Sequence, residues 1–120
     1  MSNHKNLLAY QKAFKLAMDI LEISRSFPKE EKYSLTDQIR RSSRSVCANF
    51  AEAYRRRRYP SHFLSKLTDA DAENAETEVW LDFAFASNYI SCDRHLDLVS
   101  QNSEIGKLLG DMIKNPGKYS

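Results

Sequence analysis

The 120-residue chain predicts an all-α protein, an antiparallel up-and-down four-helix bundle. Three observations point there. Apolar residues recur at spacings of three and four along four successive segments, the period of one helix face. Only three Gly and three Pro stand in the whole chain, too few for the turn chemistry of many short strands. The breaks between segments are short, which makes sequential helices antiparallel neighbours.

The first helix is expected from about Leu7 to Ser26, with Leu7, Tyr10, Phe14, Ala17, Leu21 and Ser24 on its core face. Pro28 ends it, because proline lacks an N–H and biases Phe27 away from helical geometry. The second helix is expected from about Leu35 to Arg58. Ser34 or Thr36 can cap it, although Thr36 lacks the Glu three residues on that completes a capping box. Leu35, Ile39, Ser43, Val46, Phe50 and Tyr54 fall on its inward stripe. The third runs from about Ser61 to Ile90, with Pro60 in the first turn, where a missing N–H is harmless. Phe63, Leu67, Ala70, Leu81 and Phe85 share its core face. The fourth runs from about Arg94 to Lys114, behind Asp93 as a cap and ahead of the stop signal "NPG". It turns Leu98, Ile105, Leu108, Leu109, Met112 and Ile113 inward. Gly106 and Gly110, four apart, mark a place where two helices approach closely. The four helices make one domain over residues 1–120.

Composition narrows the function classes. The chain is 42% hydrophobic and 28% charged, as soluble globular proteins are. No apolar run approaches the ~18–20 residues of a membrane span. The opening "MSNHKNLLAYQKAF" has no continuous apolar region or cleavage site, so no signal peptide, no membrane and a cytoplasmic location are expected. Cys47 and Cys92 stand far apart and are expected to be free, mostly buried thiols. Signals for chemistry are weak. His4, His62 and His95 form neither Glu-x-x-His nor His-x-x-x-His, so no metal set is expected. The Asp19/Glu22 and Glu73/Glu76 pairs are ones that bundles place in water. Ser42, Ser43 and Ser45 have no nearby His to activate them, and "GKLLG" lacks the phosphate-loop spacing. No catalytic residue, cofactor or metal is expected.

Charge is where the sequence departs from an ordinary bundle. The stretch "IRRSSRSVCANFAEAYRRRRYP", Ile39 to Pro60, holds Arg40, Arg41, Arg44, Arg55, Arg56, Arg57 and Arg58 against one carboxylate, Glu52, although the whole chain is only +2. These are seven of the nine arginines, so the segment is selected for Arg over Lys. Helical spacing puts Arg40, Arg44, Arg55 and Arg58 on one stripe beside the core face, with Arg41 and Arg56 further towards solvent. Arginine is a planar fork of donors suited to phosphate or carboxylate, and "RRRR" followed by Tyr59 has the basic-plus-aromatic mixture of RNA binders. Between Thr68 and Asp82 lie six carboxylates (Asp69, Asp71, Glu73, Glu76, Glu78, Asp82) and no Lys or Arg. Trp80 and Phe83 sit off the core stripe beside Asp69, Glu73 and Glu76. Three readings of the arginines stay open: a nucleic-acid face, a contact with another subunit or an acidic protein, and a solvated surface.

The chain resembles the four-helix-bundle family encoded by intervening sequences in 23S rRNA genes. The resemblance rests on "FP..E.YSLT.QIRR", "S...NFAEA", "F..KL.DA..E..ET..WLDFA" and "YI", in order, and spans about Leu7 to Ile113. Where the family more usually has "NIAEG.GR", this chain has Asn49, Phe50, Ala51, Glu52, Ala53, Tyr54, Arg55 and Arg56, without either glycine. The resemblance implies a bundle that assembles as a homopentameric ring. It also implies kinship to the accessory variability protein of diversity-generating retroelements, similarly pentameric and basic, which binds a reverse transcriptase and nucleic acid. It supplies no catalytic residues. Gln38, Arg40, Arg41, Asn49, Glu52, Glu76 and Thr77 match the family pattern by position. The expectation is therefore a homo-oligomer, with Arg40, Arg41, Arg44 and Arg55–Arg58 facing RNA or another nucleic acid. Asp69, Glu73, Glu76, Trp80 and Phe83 are the expected subunit interface, and a protein partner is the alternative target of the arginines.

Overall fold

The computed structural model describes His4 and residues 7–119; the expectation that residues 1–3, 5 and 6 open no signal sequence lies outside them. Four α-helices and no strand occur among the described residues: α1 Leu8–Ser24, α2 Asp37–Arg55, α3 Pro60–Ala86 and α4 Cys92–Lys114. Neighbouring helices form a closed circuit, α1 on α2, α2 on α3, α3 on α4 and α4 on α1, and the α2–α3 seam is the most extensive. Polar contacts fix the directions. Arg40 near the start of α2 meets Ser24 at the end of α1. Glu52 near the end of α2 meets Lys66 near the start of α3, and Asp82 near the end of α3 meets His95 near the start of α4. Sequential helices are thus antiparallel, in a rod of 44 × 25 × 22 Å. No described helix is long and apolar enough to cross a membrane.

The inward stripe of α2 is the expected one: Leu35, Ile39, Ser43, Val46, Phe50 and Tyr54 are all buried. That of α1 is not. Ala9, Ala13, Leu16, Ala17, Ile20 and Ser24 are buried, and Phe14 is 53% exposed. The helix carries two apolar stripes, and the alanine-rich one lets its backbone lie close to its neighbours. The bulkier stripe is left on the flank, where Tyr10 leans on Phe50 with ring centroids 6.1 Å apart. On α3, Phe85 is likewise exposed, its ring stacked on His95 at 4.4 Å, and Ala84 takes the core position.

Four boundaries and caps differ from expectation. A 3-10 turn at Lys29–Glu31 and a π-helical turn at Lys32–Thr36 lead into α2. Neither Ser34 nor Thr36 caps the helix: Thr36 is already helical, and Ser34 Oγ donates to Glu31 Oε1 at 2.6 Å. At its far end α2 stops at Arg55, three residues before the expected Arg58. Helix α3 stops at Ala86 because Asn88 adopts a left-handed φ of 63°. Its N–H bonds Phe85 O at 3.0 Å and that of Tyr89 bonds Ala84 O at 2.9 Å, the double bond that closes helices with Gly or Asn. Ser91, and not Asp93, caps α4, its Oγ accepting from the Arg94 N–H at 3.2 Å.

The glycine pair divides. A Cβ on Gly106 would lie 3.1 Å from Asn74 Nδ2, whereas Gly110 has open space. The cysteines divide too: Cys92 is exposed, while Cys47 is partly buried, and burial pushes its thiol up to about 11.

Candidate nucleic-acid interface

The outward ridge of α2 is the exposed series Asp37, Arg41, Arg44, Ala48, Glu52 and Arg55, spaced by three and four and so lying on one stripe opposite the core. Three of the seven arginines stand on it. Arg40, expected on the same stripe, turns towards α1, is half-buried and donates through Nε to Ser24 Oγ at 2.7 Å. Arg58, also expected there, lies beyond the helix. The ridge's carboxylate, Glu52, is tied to Lys66 Nζ at 2.9 Å, and this hydrogen bond and charge hold its carboxyl below the usual range.

Arg56, Arg57 and Arg58 form the turn between α2 and α3. Arg57 folds back on the helix it follows: Nη1 donates to Tyr54 O at 2.9 Å, and the guanidinium lies 4.0 Å from the centroid of the Tyr54 ring. A cation at a helix C-terminus satisfies a free carbonyl and complements the helix dipole. That accounts for Arg57 as part of the fold. Arg56 and Arg58 remain exposed. Among the described residues, no carboxylate oxygen lies within 4.0 Å of any of the seven arginines.

The acidic row lies along α3. Asp69 is exposed and 3.7 Å from Lys66; Glu73 and Glu76 are half-buried. Two turns on, Trp80 packs against the core, while Phe83 is 56% exposed, their rings 5.9 Å apart. Both aromatics line a groove of about 480 Å³ with Glu31, Ser34, Leu35, Gln38 and Ser87. Glu73 Oε2 and Trp80 Nε1 are shielded from solvent and have no hydrogen-bond partner. The structure thus brings the five α3 residues onto one flank, and it splits the arginines between a ridge, a turn and two fold contacts.

Sequence periodicity did not find the groove's other wall. Ser34 and Leu35 belong to the π-helical approach to α2, whose geometry no spacing announces, and Gln38 to the first turn of α2 itself. It also missed the apolar flank of α1, where Leu8, Phe14 and Met18 are about half exposed; the second apolar stripe of that helix was the available signal. No group of three or more His, Cys, Asp or Glu that could hold a metal ion occurs among the described residues.

A family model described as "23S rRNA-intervening sequence protein" matches residues 5–111. The chain is also similar to a crystal structure from Bacteroides thetaiotaomicron VPI-5482, a protein of unknown function from the S23 ribosomal protein family. The two share 30% identity and a TM-score of 0.82, over 89% of this chain and 96% of that one. No curated protein matches the chain.

Proposed function

We propose, on the premise that this chain belongs to the 23S rRNA-intervening sequence protein family, that it is a non-enzymatic, homo-oligomeric helical bundle of the cytoplasm that binds RNA or another nucleic acid. One observation carries the reading. Arg41, Arg44, Arg55, Arg56 and Arg58 are exposed, and no carboxylate oxygen of the described residues lies within 4.0 Å of them, Arg56 acting on Glu52 only at longer range. A surface built only for solubility mixes Lys and Glu at i, i+4; here guanidinium forks stand free, suited to phosphate oxygens. Arg40 and Arg57 are held by the bundle and contribute charge without reaching out.

The mechanism is electrostatic. Each arginine that meets a phosphate releases counterions, so affinity falls steeply with salt and depends little on base sequence. In a ring of five subunits, the number the family resemblance implies, repeated ridges raise avidity through effective concentration. The test is binding of the purified protein to a structured RNA and an unrelated DNA duplex from ~50 to 300 mM salt. A steep log–log slope on both is expected. Arg55→Ala with Arg58→Ala is expected to lower the duplex slope by about 2 and leave the oligomer intact. No binding at the lowest salt would overturn the reading.

A second reading, a protein-interaction scaffold, is favoured by the groove on α3. Glu73 Oε2 and Trp80 Nε1 are buried without partners, and such atoms cost free energy until a docking group meets them. An arginine from another subunit fits the first need, since it donates to the carboxylate and stacks on the indole face; the indole N–H, itself a donor, needs an acceptor such as a carbonyl oxygen.

A further inference from the structure

The same arginines surround an aromatic residue that the electrostatic reading leaves unused. Tyr59 ends the turn after α2, follows four arginines in sequence and is 63% exposed. Its backbone is pinned on both sides: its N–H bonds Arg56 O at 2.9 Å, and its carbonyl accepts from the Phe63 N–H at 2.9 Å. The ring lies beside that of His62, centroids 5.9 Å apart and planes 38° apart. Among the described residues the Tyr59 hydroxyl makes no hydrogen bond, so none of them holds the ring in place through it. Next to it opens a cavity of about 560 Å³ at the end of the bundle, walled by Pro60, Phe63, Pro116 and Gly117 and rimmed by Arg57 and Arg58.

We infer that this end of the bundle is a stacking site for unpaired bases, so that the preferred ligand is a single strand, with a base on Tyr59 and His62 and its flanking phosphates on Arg55, Arg56 and Arg58. The inference rests on the nucleic-acid reading above and narrows it. A duplex hides its base faces, and an acidic peptide offers carboxylates without flat rings. A single strand supplies both charges and π-faces at alternating positions along one chain. The apolar walls of Pro60, Phe63 and Pro116 suit a base tipped off the backbone, and a rigid turn presents the ring with little to order on binding.

The experiment compares, at one low salt concentration, oligo(U), oligo(dT), a single strand of the same length carrying only abasic sites, a duplex and poly-glutamate. Stacking predicts that oligo(U) and oligo(dT) bind more tightly than the abasic strand. Tyr59→Ala is expected to remove about 5- to 150-fold of that difference, the range for one stacked base, and Tyr59→Phe to keep it. A preference between oligo(U) and oligo(dT) separates RNA from DNA as the source. Tyr59 is exposed, so Tyr59→Ala leaves the melting temperature unchanged. Equal binding of bases, abasic strand and duplex, unmoved by Tyr59→Ala, overturns the stacking site and leaves the electrostatic reading standing. Poly-glutamate bound as tightly as oligo(U) overturns it in favour of an acidic protein, and no binding by any strand overturns both readings.

Discussion

Asn74 on α3 and Asn102 on α4 clasp their helices at one of the core's buried polar points, Ser42 and Thr77 making another. Each amide donates to the other residue's backbone carbonyl, Asn74 Nδ2 to Asn102 O at 3.0 Å and Asn102 Nδ2 to Asn74 O at 2.9 Å. Both are at most 5% exposed, so a displaced amide has no water to fall back on. Gly106 leaves the space that Asn74 occupies. Alanine in a helix interior is favoured over glycine by about 1 kcal/mol, and Gly110→Ala, with open space around its Cβ, is expected to gain about that much. Gly106→Ala brings a methyl to 3.1 Å from Asn74 Nδ2, and the overpacking costs about 1–3 kcal/mol. Urea unfolding of the two variants should therefore shift midpoints in opposite directions; equal gains would mean that Asn74 moves aside freely. The sequence showed a small-residue pair and the charge of the arginine stretch. It did not show which glycine meets a neighbour, nor that Arg40 faces Ser24 while Arg41 faces out. A helix's own periodicity says what is opposite the core, but the flank taken by a neighbouring helix depends on how the whole bundle closes.

Between elements, four carboxylates act as stitches, and each sits below its ordinary titration range. Burial works against Asp19, but hydrogen bonds from Lys15 and from Gln101 of α4 outweigh it and hold the carboxyl low. Glu31, in the turn before α2, is lowered by hydrogen bonds from Ser34 and from Tyr89 in the α3–α4 connection. Glu52 joins α2 to α3 through Lys66, and Asp111 holds the C-terminal turn through Tyr119, Asn115 and Lys118. A carboxylate lowered by folding contributes stability that is fully present above its unfolded value, ordinarily 3.8 for Asp and 4.5 for Glu. The contribution is lost as pH falls through the lower folded value. Unfolding free energy should accordingly be flat from about pH 7 to 5 and decline below about 4.5. The gap between wild type and Glu31→Gln should close over that same fall, and a gap that widened towards acid would contradict the assignment. The helices themselves were legible because four long segments each repeat one period. The caps were not, because Ser91 and Asn88 act through backbone geometry that a spacing of three and four does not encode. The π-helical turn at Lys32–Thr36 is invisible for the same reason.

At the scale of the whole molecule, α2 and α3 carry opposite charge, although ion pairs such as Lys12–Glu104 and Lys15–Asp19 mix the signs elsewhere. The +2 net charge hides a ridge of unpaired arginines on α2 and a row of carboxylates with two aromatics on α3. Two unlike patches on one chain make a heterologous contact, which closes into a ring or runs on as a filament. A stable contact needs about 1,000 Å² or more, and helix faces on a 44 Å rod offer that length. In this arrangement Arg44, exposed on the α2 ridge, is the partner for Glu73, and Phe83 is the anchor. Arg40 is excluded from that role by its bond to Ser24. Sedimentation velocity across micromolar concentrations checks the scheme: Phe83→Glu should reduce the oligomer to monomers. Arg44→Glu and Glu73→Arg should each weaken it by about 30-fold or more, as removal of one member of a buried charge pair does, and together recover part of the loss. An oligomer untouched by all three would place the contact elsewhere. Because the turn arginines lie at the end of the rod and Arg44 on its side, the same variants separate the two roles of the charge. If Arg44→Glu dissociates the ring while monomers still hold a single strand through Arg55, Arg56 and Arg58, the middle of the ridge builds the assembly, and the end of α2 with its turn binds the ligand.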